Sequence, residues 1–471
     1  MNLGESERWM FQKAISRLDQ VRDTLYGRPY LVLLSIGLAA VLVYLAAIPL
    51  PRVDGQLVGG DGIRYYMYVR SFWIDGDLNF HNEFLYFFGH EGRTIPATGM
   101  AHNQYGIGCA LLWTPFFLCA HAMAALLNLV GLHTPMDGYS YLYQATTLLG
   151  TVVYGFLGVL LSFRLSARLY PRSSALLATV LIWLASNVLY YMIAEPSLSH
   201  ANAMFAIALF VYYWYKTGHE RSTGQWAVLG LLAALILLIR LPDVTFLIIP
   251  AVESLYLLFK ILSAQDFKGL WKHILHNVTF LGALFLGFVP QMVAWRIMFG
   301  SFLVGGRLYG RGVGSDQFHW FSPRIPQVLF SGWHGLFSWH PILLFASVGL
   351  IFFLGRKNKL LAACLTAAFA ANLYLISAWR IWWQAAAFGG RMFMSGGIVF
   401  VLGLTALVDW LRKRRDSILI EFVALAFIAW NALFMIQYRF GFVSLWDPLT
   451  FRELVLDKFT LPLRLFQRLL K

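Results

Sequence analysis

The chain of 471 residues is 59% hydrophobic and only 13% charged, with 17% aromatic residues and a mean hydropathy of +0.63. Soluble globular domains carry about 25% charged residues, so a disordered chain, a coiled coil and an ordinary soluble enzyme are excluded and a polytopic membrane protein is expected. The net charge of +14 does not read as nucleic-acid binding, because the basic residues fall in short breaks between apolar runs, where they set topology.

Taken in chain order, 1–29 is a basic amphipathic lead-in, and the first apolar run, from Tyr30, is long enough to be an anchor rather than a cleaved signal. A membrane helix needs roughly 20 apolar residues. The runs that meet or approach this are 30–50, 139–163, 174–194, 200–215, 226–241, 243–262, 277–299, 335–354, 360–378, 392–411 and 417–437. The stretch 107–131 is ambiguous. If it does not cross, 51–138 is one long outer loop, and twenty basic residues fall in the cytoplasmic segments, among them Arg8, Arg22, Arg164, Arg168, Lys260 and the run Arg412-Lys413-Arg414-Arg415. Six remain in the short outer loops: Arg240, Arg307, Arg311, Arg324, Arg380 and Arg391. The positive-inside bias therefore favours an interfacial or re-entrant hairpin at 107–131, broken near Pro115 and buried against protein. The expected fold is an all-α integral-membrane domain of about eleven transmembrane helices, N-terminus cytoplasmic, with an amphipathic tail at 438–471 on the outer face. Cys109, Cys119 and Cys364 lie inside apolar stretches and read as small core residues.

The polar residues are unevenly placed. Five acids, Asp54, Asp61, Asp75, Asp77 and Glu83, follow the first span. Asp61 precedes a short aromatic helix predicted over 63–74, with Tyr65 and Tyr66, and reads either as a helix cap or as a functional carboxylate. Asp75 and Asp77 have the character of turn residues. Glu195 stands in an outer turn that Pro196 opens and His200 closes, either paired with a neighbouring arginine or facing a wet cavity. The outer arginines include Arg240 in Arg240-Leu241-Pro242-Asp243, Arg307 and Arg311 in a glycine-rich loop, and Arg391 in Phe388-Gly389-Gly390-Arg391. Arginine binds phosphate bidentately, and neighbouring glycines let backbone approach a ligand; Arg380 reads as a snorkelling residue. Acids, arginines and aromatics on one face suit a reaction in which a carboxylate takes a proton from an acceptor while arginines hold a phosphate leaving group. No P-loop or dinucleotide fingerprint is present. A divalent cation stays open as a partner, although no ligand spacing demands one.

This layout resembles the GT-C superfamily of integral-membrane glycosyltransferases, especially the bacterial branch related to protein O-mannosyltransferases and aminoarabinose transferases. The residues that carry the resemblance are Asp61 with Tyr65 and Tyr66, the long first outer loop, Glu195, and the late Phe388-Gly-x-Arg391 element. The resemblance implies a polyprenyl-phosphate sugar donor, hexosyl or pentosyl transfer to a lipid, glycan or protein acceptor on the outer face, and a bacterial inner-membrane location. By it, Asp61 is the base, Glu195 the second acid and Arg391 a donor-phosphate contact; Arg307, Arg240, His200, Glu83, Tyr65 and His102 are expected as further substrate-binding residues, with Asn103 beside His102. The sequence departs from the commoner pattern at Gly62, where an acid is often found, which leaves the partner of Asp61 open among Asp54, Asp75, Asp77 and Glu83. It departs again at Ser199-His200 after Glu195. Two other readings are a transporter or flippase of a lipid-linked or anionic substrate, disfavoured because no internal repeat is visible, and a polysaccharide polymerase or ligase, in which a large outer loop would come late.

Overall fold

The computed structural model describes residues 20, 22–48, 56–218, 221–304, 317–415 and 417–469. Within it the apolar runs are helical, as they must be where backbone N–H and C=O groups find no water. In chain order these are α1 (Pro29–Ala47), α2 (Asp61–Arg70), continued by a π turn at Ser71–Asp75, α3 (His81–Phe88), α4 (Gly108–Leu129), α5 (Tyr141–Leu169), α6 (Arg172–Leu184), α7 (Val188–Ile193) and α8 (His200–Thr217). The second half has α9 (Thr223–Ile239), α10 (Ile248–Ser263), α11 (Phe267–Phe299), α12 (Ile342–Phe352), α13 (Lys359–Ala378), α14 (Gly397–Arg412), α15 (Ser417–Arg439) and α16 (Asp457–Leu469). Among the described residues there are no strands, only two isolated bridges. Eight helices are long and apolar enough to cross a membrane, and three shorter apolar ones accompany them. Among the described residues the expected runs fall on helix, with 174–194 and 335–354 each broken into two helices.

Side-chain contacts give the direction of packing. Near its end, α1 donates a hydrogen bond from Tyr44 OH to Ala145 O at the start of α5 (2.8 Å), while Tyr30 at its beginning meets Phe163 late in α5 (ring centroids 5.4 Å). The two helices are therefore antiparallel. One end of the bundle gathers the C-termini of α1 and α9 and the N-termini of α2, α5 and α8. The opposite end gathers Arg164 over the Tyr30 ring (5.9 Å), Arg168 over Tyr212 (5.1 Å), and Arg412 with Glu421 (3.1 Å).

Helix α4 differs from the broken hairpin expected at 107–131. It runs unbroken through Pro115, whose one missing ladder bond does not outweigh the packing on both sides. Its length and composition would let it span, yet its contacts lie toward the first end. Trp113 Nε1 donates to Thr151 Oγ1 at 2.8 Å, the Phe117 ring lies 5.1 Å from Tyr143, and Asn202 Nδ2 reaches Cys109 Sγ at 3.7 Å.

The central helix is α14, which with the 3-10 segment Arg391–Gly396 before it is 94% buried over its apolar window. It crosses α12 at a close approach that only a residue without a side chain allows, since a Cβ on Gly403 would stand 2.2 Å from Ala346 O and 2.9 Å from Leu350 N. Such small-residue contacts let helix backbones meet where no hydrophobic driving force separates lipid from protein. Gly403→Leu is expected to force α12 and α14 apart at a cost of about 1–3 kcal/mol, read as a lowered melting temperature in detergent; an unchanged melt would refute the close approach as a constraint.

Candidate active site

Asp61 is the first residue of α2, where the positive end of the helix favours an acid. Its Oδ1 accepts a hydrogen bond from Tyr105 OH at 2.6 Å, and its Oδ2 lies 3.6 Å from Arg391 Nη2. The acid is 43% exposed and the arginine 15%, so the carboxylate meets solvent while the guanidinium is sheltered behind it. Burial, followed by the Asp61 charge, pushes the Tyr105 phenol well above its ordinary range, which keeps it a donor to Asp61.

Gly62 explains the departure from the commoner pattern. A Cβ there would stand 2.3 Å from Ser197 Cβ and 2.5 Å from its Oγ, and Ser197 Oγ also donates to Gly59 O at 3.1 Å. The turn before α8 is thus pressed directly onto the start of α2, and no acid fits. Of the acids left open as partners, Asp54 lies outside the described residues. Asp75 and Glu83 both bind Arg70, and Asp77 accepts from Ser71 Oγ at 2.8 Å. The second acid at the site is instead Glu195, in the turn between α7 and α8. Its Oε1 accepts from Tyr190 OH at 2.9 Å, and its charge acts on Arg391 together with that of Asp61.

Arg391 opens the short 3-10 segment Arg391–Gly396 that leads into α14. The loop before it holds two non-glycine residues in the left-handed region, Gln384 (φ 68°) and Ala385 (φ 56°), a conformation that persists only where surroundings over-determine it. Here Gln384 N donates to Ile381 O at 2.9 Å, Met392 N donates to Gln384 Oε1 at 2.8 Å, and Phe388 N donates to Tyr191 OH at 2.8 Å. Among the described residues Arg391 Nε has no hydrogen-bond partner although buried, so the guanidinium keeps donors to spare.

Arg240 sits beside this loop but is already committed. It forms a 3.3 Å ion pair with Asp243, whose Oδ1 accepts from Ser395 Oγ at 2.9 Å. Its Nη1 lies 2.9 Å from His200 Nδ1 and 3.4 Å from Ser199 Oγ, and its Nη2 reaches Met392 Sδ at 2.8 Å. Ser199 Oγ in turn donates to Tyr65 OH at 3.0 Å, and the Tyr65 ring lies 4.9 Å from that of Tyr105. Asp61, Glu195, Arg391, Arg240, His200 and Tyr65 are thereby brought into one connected group.

Two expected site residues, His102 and Glu83, make contacts elsewhere. Arg307 lies outside the described residues. His102 rests its ring on Phe299 (5.4 Å) and offers its carbonyl to Arg64 Nη1 (3.0 Å). Glu83 corrects the expectation of a substrate contact: its side chain is fully buried and pairs with Arg70 at 2.8 Å. Arg70 also binds Asp75, donates from Nε to Asp137 O at 2.9 Å and lies 4.1 Å over the Tyr139 ring. This network ties α2 to α3 and to the chain before α5. Burial pushes the Glu83 carboxyl up to about 7 against the pull of Arg70. Tyr105, Tyr190, Tyr191 and Arg64 are the site neighbours that residue reasoning did not single out for a role. Tyr190 and Tyr191 were open to it, since each lies about one helical turn before Glu195. Arg64, which feels Asp61 and lies 4.2 Å over Phe84, carries no sequence signal of that stacking. Among the described residues no group of three or more His, Cys, Asp or Glu could hold a metal ion; the cation beside Asp61 is Arg391.

No protein-family model matches the chain, and no curated protein matches its sequence. Solved structures do resemble it. ArnT from Cupriavidus metallidurans bound to undecaprenyl phosphate is 15% identical with a TM-score of 0.50, covering 87% of this chain. Its apo form gives 14% and 0.50. The archaeal oligosaccharyltransferase AglB from Archaeoglobus fulgidus, in complex with an inhibitory peptide and a dolichol-phosphate, gives 13% and 0.45 over 91% of this chain and 55% of its own. The chain spans 64% of the length of ArnT. The chain thus shares its all-helical membrane fold with ArnT.

Two outcomes follow from this geometry. Arg70→Met leaves Glu83 buried without its partner and is expected to cost about 3–5 kcal/mol, whereas Glu83→Gln keeps an acceptor oxygen for Arg70, which still has Asp75, and is expected to cost less; an unchanged melting temperature for Arg70→Met would show that the pair does not hold α2 and α3. Gly62→Asp, which installs the acid found in the commoner pattern, is expected to push the Ser197 turn off α2 and lower the melting temperature rather than improve the site.

Proposed function

We propose that this protein is a membrane glycosyltransferase that moves a sugar from a polyprenyl-phosphate donor to a lipid, glycan or protein acceptor at the outer face of a bacterial inner membrane. The observation that carries the reading is the placement of an exposed carboxylate, Asp61, 3.6 Å from a sheltered guanidinium, Arg391, that retains unused donors. The undecaprenyl phosphate named with ArnT supports the donor class. The concentration of basic residues at the opposite end supports the outer-face orientation.

In the proposed reaction Arg391 turns from Asp61 to an incoming phosphate, as a guanidinium fork is suited to do. Asp61 is then free to take the proton of an acceptor hydroxyl or amine. The acceptor atom forms a bond to the anomeric carbon, the bond from that carbon to the phosphate oxygen breaks, and its electron pair leaves with the lipid phosphate, whose charge Arg391 neutralises. Glu195 holds Tyr190, and its charge acts on Arg391 together with that of Asp61. Arg240, His200 and Tyr65 shape the wall behind it.

Asp61→Asn is expected to reduce transfer from a polyprenyl-phosphate sugar by about 10²–10⁴-fold, and Arg391→Lys, which keeps the charge but loses the fork, to weaken the donor step specifically. Purified protein in lipid nanodiscs with radiolabelled donor gives the measurement. Undiminished transfer by the Asp61 variant would remove that residue as base, and movement of substrate across the bilayer without turnover would favour a flippase instead.

A further inference from the structure

Tyr191 is a fully buried residue of α7, and its hydroxyl is oriented in an unusual way. Phe388 N, three residues before Arg391, donates to it at 2.8 Å. A phenol that accepts a backbone N–H has one lone pair occupied and its own proton still to give. Among the described residues that proton has no acceptor, because the Phe388 contact is the one hydrogen bond the hydroxyl makes. Burying an O–H donor without an acceptor is costly, so the arrangement calls for a ligand.

The surroundings say which kind. The hydroxyl is held by the backbone three residues before Arg391, and its ring lies against His200, so it sits beside the group already described. The ring is fixed on two sides, 5.2 Å from His200 and 5.2 Å from Tyr190, and cannot turn to seek another partner without breaking both contacts. Beside it, Arg391 Nε is likewise buried with no hydrogen-bond partner among the described residues. Two unfilled donors, one cationic and one neutral, held on adjacent elements, match a tetrahedral oxyanion with several acceptor oxygens.

We propose that Tyr191 is a catalytic residue whose hydroxyl donates a hydrogen bond to a phosphate oxygen of the lipid donor, alongside Arg391. The assignment rests on the glycosyl-transfer reading for its place in the reaction, but its contact with phosphate does not. The Phe388 N–H, by filling the phenol's lone pair, polarises its O–H bond and aims it at the phosphate. As the bond from sugar to phosphate breaks, charge grows on the phosphate oxygens and the hydrogen bond from Tyr191 strengthens with it. No proton changes hands at Tyr191.

The test is direct binding of undecaprenyl phosphate and of the uncharged undecaprenol to the full chain in nanodiscs, for the parent, Tyr191→Phe and Asp61→Asn. Tyr191→Phe removes one atom and keeps the ring contacts. It is expected to weaken undecaprenyl phosphate binding by roughly 10- to 100-fold, the range for one hydrogen bond to a charged group, while undecaprenol binding and the melting temperature stay at parent values. Equal binding of undecaprenyl phosphate by the parent and Tyr191→Phe would overturn the proposal, as would an equal loss for undecaprenol, which would mark a purely structural role. Asp61→Asn is expected to bind undecaprenyl phosphate at least as well as the parent. If the parent binds the lipid phosphate through Tyr191 yet transfers no sugar from any polyprenyl-phosphate donor, the glycosyl-transfer reading falls while the Tyr191 contact stands.

Discussion

The ion pair between Asp61 and Arg391 joins a residue just past the first long helix to one that opens the most buried helix of the bundle. Neither partner has a rigid local reason to be where it is. Asp61 is placed by the start of α2, which is clamped from behind by Ser197 against Gly62. Arg391 is placed by a loop with two left-handed non-glycine residues, pinned through Gln384 and Phe388. An attraction across 3.6 Å between partly sheltered charges is modest by itself. Its importance is geometric, because it marks a position at which the two clamped elements face each other.

Those clamps are themselves polar devices inside an apolar protein. With no hydrophobic gain from packing one helix on another in lipid, specificity has to come from close small-residue contacts and satisfied polar networks. Gly403 against Ala346 is the first kind. Arg70 with Glu83, Asp75 and Tyr139, and Arg240 with Asp243, His200 and Met392, are the second. Arginines that composition alone presents as interchangeable outer cations are thus divided. Arg70 and Arg240 hold structure through most of their donors, and Arg391 keeps donors in reserve.

Much of this was legible beforehand and some was not, for identifiable reasons. Runs such as 277–299 and 417–437 announce helices because a twenty-residue apolar stretch has no other stable form in lipid. Pro196 announces the turn that carries Glu195, because the residue before a proline resists helical backbone. Glu83, expected as a substrate contact, looks available as an acid in a long loop, and only the structure shows it buried against Arg70 on another helix. Pro115 suggested a break that tertiary packing on α5 overrides. Tyr191 lies about one helical turn before Glu195, yet a tyrosine in an apolar run looks like core, and the Phe388 N–H from a distant loop is what distinguishes it.

What the amino-acid order determines by itself is what depends on neighbours in the chain: the helices, their lengths, their ends, and the separation of basic residues from the acids and the phosphate-suited arginine. What only the tertiary structure decides is which charges cancel. Glu83 and Asp61 follow the same first span and carry the same group, yet one is neutralised in a closed network while the other stands open beside Arg391. That difference comes from through-space contacts between segments far apart in sequence, and electrostatic energy depends on distance and burial, neither of which a sequence position encodes.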